Sequence, residues 1–194
     1  DGDEKNVSLN PFDAAPTPNN RAFLRRWMKS ITMVDDALSE REIARAVTTA
    51  FDYLRPEERV MSNLYKSCFS PTGNMRRELF RWVNPDQYGK IFNATNDSLD
   101  LHSKRFIAFD FTHIFEDETL APAVISYIMH RIQSETGETG VPSLIMIDET
   151  APMLKHPMFR YYFIIGLQEG RKKRQAYLCA FQQPNIIDRL GVGE

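Results

Sequence analysis

The 194 residues carry 24 Lys and Arg against 26 Asp and Glu, a formal net charge of -2, and 42% of them are hydrophobic. That balance excludes a disordered chain and a globally basic nucleic-acid binder, so any polyanion contact has to be local. No run has the apolar length of a bilayer span, no signal peptide opens the chain, and Cys68 and Cys179 lie in a helical pattern and an apolar run, the usage of reduced intracellular thiols.

The chain begins at Asp1 without an initiator Met and ends on Leu190 to Glu194 just past a predicted strand and turn, so we expect a fragment of a longer protein. Residues 1–16 are a polar lead with an apolar piece, Val7-Ser8-Leu9, followed by Asn10-Pro11-Phe12 and Ala15-Pro16, the pattern of a strand and its exit. From Thr17 the period becomes helical. Thr17 is the expected N-cap, Pro18 holds the first helical position, and Phe23, Leu24, Trp27, Met28 and Ile31 recur on one face. A second helix is signalled by Ser39 with Glu42 three residues on, a capping box, ahead of Ile43, Ala46, Val47, Ala50, Phe51 and Leu54. A third is expected from Pro56 to Phe69, and Pro71-Thr72-Gly73 separates it from a fourth carrying Met75, Leu79, Trp82 and Val83. Residues 17–83 therefore read as an all-helical insert subdomain whose Trp and Met stripe is core.

A turn-rich passage, 84–104, follows, with an edge strand expected at Ser98 to Leu101. Then the period changes again. Arg105 to Phe111 is an apolar run holding one acid, Asp110; a helix is expected from Thr119 to Thr136, ended by Gly137 and Gly140. Ser143 to Glu149, Ser-Leu-Ile-Met-Ile-Asp-Glu, reads as a strand buried on both faces, and after a helix from Pro157 to Glu169 a third run spans Ala176 to Phe181. Strand, helix, strand, helix, strand is the signature of parallel crossovers, so the chain reads as α/β, a mostly parallel sheet with flanking helices, with 1–16 and 84–194 forming its core around the insert.

Parallel strands discharge their polar ends at one edge, where open α/β sheets bind ligands. Here that edge would collect Asp110, then Asp148 with Glu149, then Gln182. The adjacent acids suit a hydrated Mg²⁺ and a polarised water, the Walker B pattern, although strand-ending acids also simply open loops. Gln182 would supply a polar group near a γ-phosphate. Arg171-Lys172-Lys173-Arg174 is either a solvated surface that complements a helix dipole or a source of transition-state charge in its own or a neighbouring subunit. His102, His113, His130 and His156 lack metal-ligand spacing, and His113 reads as a loop residue. No Gly-x-x-x-x-Gly-Lys-Ser/Thr occurs; Gly89-Lys90 is followed by Ile91 and lacks the upstream glycine.

The order of motifs covers nearly the whole chain: Leu9-Asn10-Pro11-Phe12; Asn20 to Leu24; Phe92-Asn93 with Asp97-Ser98-Leu99; Phe109 to Thr112; Tyr127 with His130-Arg131-Ile132; Ile147-Asp148-Glu149; Leu154, Pro157 and Phe159; Gly170-Arg171-Lys172; and Gln182. In this order they resemble the C-terminal motor domain of the large conserved ATPase of type IV secretion and conjugative-transfer systems, in the HerA and FtsK-like branch of RecA-type P-loop motors. The resemblance implies a partial RecA-like P-loop NTPase sheet, Asp148 and Glu149 as the Walker B pair with Mg-ATP as cofactor, Glu149 activating water, Gln182 as the glutamine on the adjacent strand, and Arg171 with Lys172 as the Arg-Lys motif. It also implies a hexamer at the cytoplasmic face of the bacterial inner membrane, working with inner-membrane components and other ATPases of the apparatus; DNA and protein both stay open as cargo. The family's phosphate loop would precede Asp1. Two positions depart from the pattern: Phe181-Gln182-Gln183 replaces Thr-Gln-Ser, and Ala151 or Pro152 stands where an aromatic is common. Two other readings are an assembly module that uses the helical insert for docking, and a metal-dependent nuclease using Asp110 and Glu149, which lacks the lysine such sites want at position 151.

Overall fold

Trp27, Trp82 and Phe92 are fully buried and meet in one cluster, their ring centroids 5.2, 5.5 and 6.2 Å apart in pairs. They come from three helices of the computed structural model, which describes residues 8–102, 105–139 and 141–181. Helix α1 (Pro18–Thr32) starts as its sequence dictates: Thr17 accepts a hydrogen bond from the Asn20 N–H and Pro18 fills the first turn. Helix α2 (Ala37–Asp52) starts three residues before the expected capping box. Asp36, not Ser39, is its cap, accepting from the Leu38 and Ser39 N–H groups and from the Ser39 hydroxyl. Glu42 is thereby released to accept the Ser70 N–H at 2.9 Å, tying α2 to the turn before α4.

The expected 56–69 helix is divided. A 3₁₀ turn, Pro56–Glu58, precedes α3 (Met61–Cys68), because Val60 is extended between them and the Ser62 N–H is satisfied by the Asn93 side chain from elsewhere in the chain. Helices α4 (Asn74–Val83) and α5 (Gly89–Phe92) complete this unit. No strand forms at Ser8–Leu9: Leu9 donates to the Ile91 carbonyl, Ser8 accepts from the Ser98 N–H, and Asn10 donates to the Arg59 and Thr95 carbonyls. Val7, the other residue of that expected strand, lies outside the described residues. Residues 98–101 also form no strand, since the Asp97 and Asp100 carboxylates take the Leu99 and His102 N–H groups in local turns. The chain divides into two compact units, Asp1–Ser103 and Lys104–Glu194.

In the second unit, α6 (Leu120–Thr139) begins at the Asp117 carboxylate, which accepts the Thr119 and Leu120 N–H groups. Strand β1 (Ser143–Ile147) pairs in parallel with β2 (Gln175–Cys179), Ser143 opposite Gln175 and Ile147 opposite Cys179. The crossover runs through α7 (Thr150–Leu154) and α8 (Pro157–Lys173), which packs on β2 and against α6. The result is a mixed helical fold with a small two-stranded parallel sheet, a partial α/β architecture. Two expectations are corrected. Arg105–Phe111 is not a strand: it pairs with no neighbour among the described residues, and Phe109 and Phe111 stack on each other at 6.0 Å. Strand β1 is covered on one face only, Ile145 and Ile147 being buried while Leu144 and Met146 are 61% and 63% exposed.

Gly166 lets the covered face close. A Cβ there would lie 2.2 Å from the Tyr177 hydroxyl and 2.7 Å from Gln133 Nε2, so α6, α8 and β2 approach at a point that accepts no side chain. Gln133 also donates to the Tyr162 carbonyl.

Candidate active site

Two backbone hydrogen bonds hold the end of β1. The Ala180 N–H donates to the Ile147 carbonyl at 2.9 Å, and the Thr150 N–H donates to the Ala180 carbonyl at 3.1 Å, so the chain is anchored to the residues after β2 on both sides of two acids. Between the anchors Asp148 and Glu149 are exposed. Glu149 is left-handed, φ 51° and ψ 50°, and its N–H donates to Asp148 Oδ1 at 3.0 Å. A non-glycine residue in this region is uncommon and is kept only where surrounding contacts determine it.

Thr150 supplies those contacts. It is fully buried and its hydroxyl donates to the Ile147 carbonyl at 3.2 Å, back across the two acids. Burial at the end of β2 pushes the pKa of the Cys179 thiol up, with Thr150 beside it offsetting part of the rise. The threonine has little signature in sequence, being one hydroxyl residue after two acids; its importance appears only when β2 is alongside.

The turn thus offers two adjacent, solvent-facing carboxylates on a fixed backbone. Hard oxygen donors of this kind fit a magnesium ion that keeps most of its waters. Among the described residues no group of three His, Cys, Asp or Glu side chains is arranged to enclose a metal.

The other expected residues fall elsewhere. Arg171 and Lys172 are exposed in the last turn of α8, just before β2 begins, whereas Asp148 follows the end of β1. With the strands parallel and in register, the two sets lie at opposite ends of the sheet, about 16 Å apart along the strand direction. Lys173 pairs with Glu169 at 2.8 Å, holding that carboxyl below its usual range, and Arg174 forms the left-handed cap of α8. Gln182 lies outside the described residues. Asp110 does not reach a sheet edge: it sits in a turn where the Thr112 hydroxyl and N–H hydrogen-bond its carboxylate and depress its pKa. His113 is exposed beside Glu116. On α6 the motif residues pack: His130 is buried edge-on to the Tyr162 ring, and Arg131 donates to the Tyr127 hydroxyl and pairs with Glu135.

An acid pair after a strand with a parallel neighbour beside it is a partial α/β arrangement, and Asp148 and Glu149 stand at the carboxyl end, the edge at which open α/β sheets generally bind ligands. No family model matches the chain. Among curated proteins it is 29% identical over 196 aligned positions to the conjugal transfer protein TrbE of Rhizobium radiobacter, covering 98% of this chain and 23% of that protein. It is 30% identical over 174 positions to the type IV secretion system protein virB4 of Bartonella henselae, 87% of this chain and 22% of that protein, and 27% identical over 176 positions to protein virB4 of Agrobacterium fabrum, 88% and 22%. The homologues of this chain are therefore TrbE and virB4 proteins of conjugation and type IV secretion, the family that its order of motifs resembles. The chain spans less than a quarter of the length of these relatives. Among the described residues no helix is long and apolar enough to cross a membrane.

Proposed function

We propose that this chain is the Walker B portion of an ATP-hydrolysing motor that energises type IV secretion or conjugation, with a RecA-like sheet that the rest of the motor completes. The observation that carries the proposal is the clamped Asp148-Glu149 turn at the carboxyl end of a parallel strand, with Glu149 held left-handed by contacts to the neighbouring strand's exit. Residues 1–16 and 84–194 are taken as parts of that motor core and 17–83 as its helical insert.

In this reading bound Mg-ATP supplies a charge-neutralised γ-phosphate as the electrophile. Asp148 orients the ion's waters through its exposed carboxylate. Glu149 accepts a hydrogen bond from the attacking water and takes up its proton, and the fixed turn keeps the two carboxylates from exchanging roles. Gln182, on the segment that leaves β2, is placed in the motor as the group that senses the γ-phosphate. The separation of Arg171 and Lys172 from the acids along β2 supports their acting on a neighbouring subunit's site in a hexamer, as an arginine finger does. The residues that wrap the phosphates are absent from this sequence, so the chain alone is proposed to be catalytically inert. The same proposal puts the full protein at the cytoplasmic face of the inner membrane with other components of the apparatus. A nuclease pairing of Asp110 with Glu149 draws no support from Asp110's place in a turn.

The test is ATP turnover by the full-length protein carrying Glu149→Gln. The amide keeps the size of the side chain but cannot take a proton, so ATP should be retained while turnover falls by at least about 100-fold, the usual weight of a general base. Unchanged turnover would sink the Walker B assignment.

A further inference from the structure

We propose that Thr150 is a positioning residue: its hydroxyl and N–H, bonded to the Ile147 and Ala180 carbonyls, lock Glu149 in the left-handed conformation that aims its carboxylate out of the sheet. This rests on the reading of Glu149 as the water-activating base.

The geometry is a closed circuit. The Ile147 carbonyl accepts twice, from the Ala180 N–H at 2.9 Å and from the Thr150 hydroxyl at 3.2 Å, so both of its lone pairs are used. The Ala180 carbonyl returns to the Thr150 N–H at 3.1 Å. Asp148 and Glu149 must then span a fixed gap between Ile147 and Thr150. Only some reversals over so few residues use a positive φ, and this one does, at Glu149. Thr150 is the only one of these three residues exposing nothing to solvent, whereas both acids between the anchors are exposed. Ile147 is the register partner of Cys179, the last residue of β2, so the circuit closes on the strand pair itself. The threonine thus ties the conformation of the acid turn to the register of β2.

Two experiments test this, one without any nucleotide. In the chain itself, the amides of Thr150 and Ala180 should be protected from hydrogen exchange, and the φ-dependent scalar coupling and Cα shift of Glu149 should report the left-handed region. Thr150→Val, which removes the hydroxyl and keeps the shape, should move the Glu149 signals toward ordinary extended or helical values, and Thr150→Ser should restore them. Thr150 amide exchange as fast as in a free loop, or left-handed Glu149 signals that persist in Thr150→Val, would overturn the proposal. In the full-length protein, Thr150→Val should lower kcat roughly ten-fold, the equivalent of one buried hydrogen bond, with KM for ATP little changed and with recovery in Thr150→Ser. Full kcat in Thr150→Val, or equal loss in Val and Ser, would also overturn it. If Glu149→Gln left turnover unchanged, the catalytic reading would fall while the exchange and coupling measurements would still decide whether Thr150 sets the turn.

Discussion

At the scale of single residues, three non-glycine positions among the described residues have positive φ: Met33, Glu149 and Arg174. Two of them close helices, α1 and α8, where a left-handed residue returns its N–H to the last turn. Glu149 has no such helix behind it and is kept left-handed by the strand-to-strand circuit. Holding it there costs on the order of 1 kcal/mol, which a β-branched residue would increase. Glu149→Val should therefore destabilise the chain by about 1–2 kcal/mol, whereas Glu149→Gly should change stability by less than about 0.5 kcal/mol, relief of strain offsetting added freedom in the unfolded chain. Urea unfolding of both variants checks this; equal losses would show that the turn carries no strain. Asp36 gives a pH test. The Ser39 hydroxyl and N–H hold its carboxyl below the usual aspartate range, so its contribution is complete above the ordinary value of 3.8 and is lost as pH falls through the lowered one. Asp36→Asn keeps an acceptor for the helix N–H groups but cannot be protonated, and its unfolding midpoint should lose less than the parent's on acidification. Identical pH profiles would remove Asp36 from the acid response.

At the scale of elements, the covered face of the sheet depends on Gly166. A methyl group there meets the Tyr177 hydroxyl and the Gln133 amide, both ends of side chains that have to give way. Gly166→Ala should cost about 1–3 kcal/mol, the ordinary penalty of overpacking. Tyr177→Phe removes the atom that the methyl group meets first, so the double variant should lose less than the sum of the single changes. Thermal unfolding of the four proteins in this cycle decides it, and strict additivity would mean that the two sites do not meet. The periodicity that announces α1, α2 and α4 is legible because each presents one apolar stripe. Their starts were less legible: two acceptors compete at the head of α2, Asp36 and Ser39, and the longer reach of the carboxylate to three donors decides between them.

At the scale of the molecule, the proposed motor reading makes the acid turn half of a nucleotide site. Asp148 and Glu149 are present, and no Gly-x-x-x-x-Gly-Lys-Ser/Thr accompanies them in this sequence. Titration of the chain alone with Mg-ATP in a calorimeter should give no measurable heat of binding; micromolar affinity would show that the chain holds phosphate-binding groups of its own. The β1 and β2 faces tell the same story in apolar surface, for Leu144, Met146 and Leu178 remain more than half exposed on one side. A parallel sheet is ordinarily covered on both faces, and four consecutive apolar residues in β1 carry that expectation although the chain covers only one.

The sequence by itself determined what short-range chemistry controls: the helices between Pro18 and Val83 with their Trp and Met core, the acid pair at the end of an apolar run, the parallel crossover from Ser143 to Cys179, and the likeness to TrbE and virB4 relatives. Tertiary structure alone decided what depends on partners distant in the chain. Asn93 divides an expected helix by satisfying Ser62, Arg105–Phe111 stays out of the sheet because no strand pairs with it, and the basic tetrad falls at the opposite end from the acids because β2 runs parallel to β1. Thr150 belongs to the same group. A hydroxyl residue after two acids acquires its role only when Ala180 and Cys179 are brought beside it, since hydrogen bonds that close across strands are set by the fold and not by neighbours in sequence.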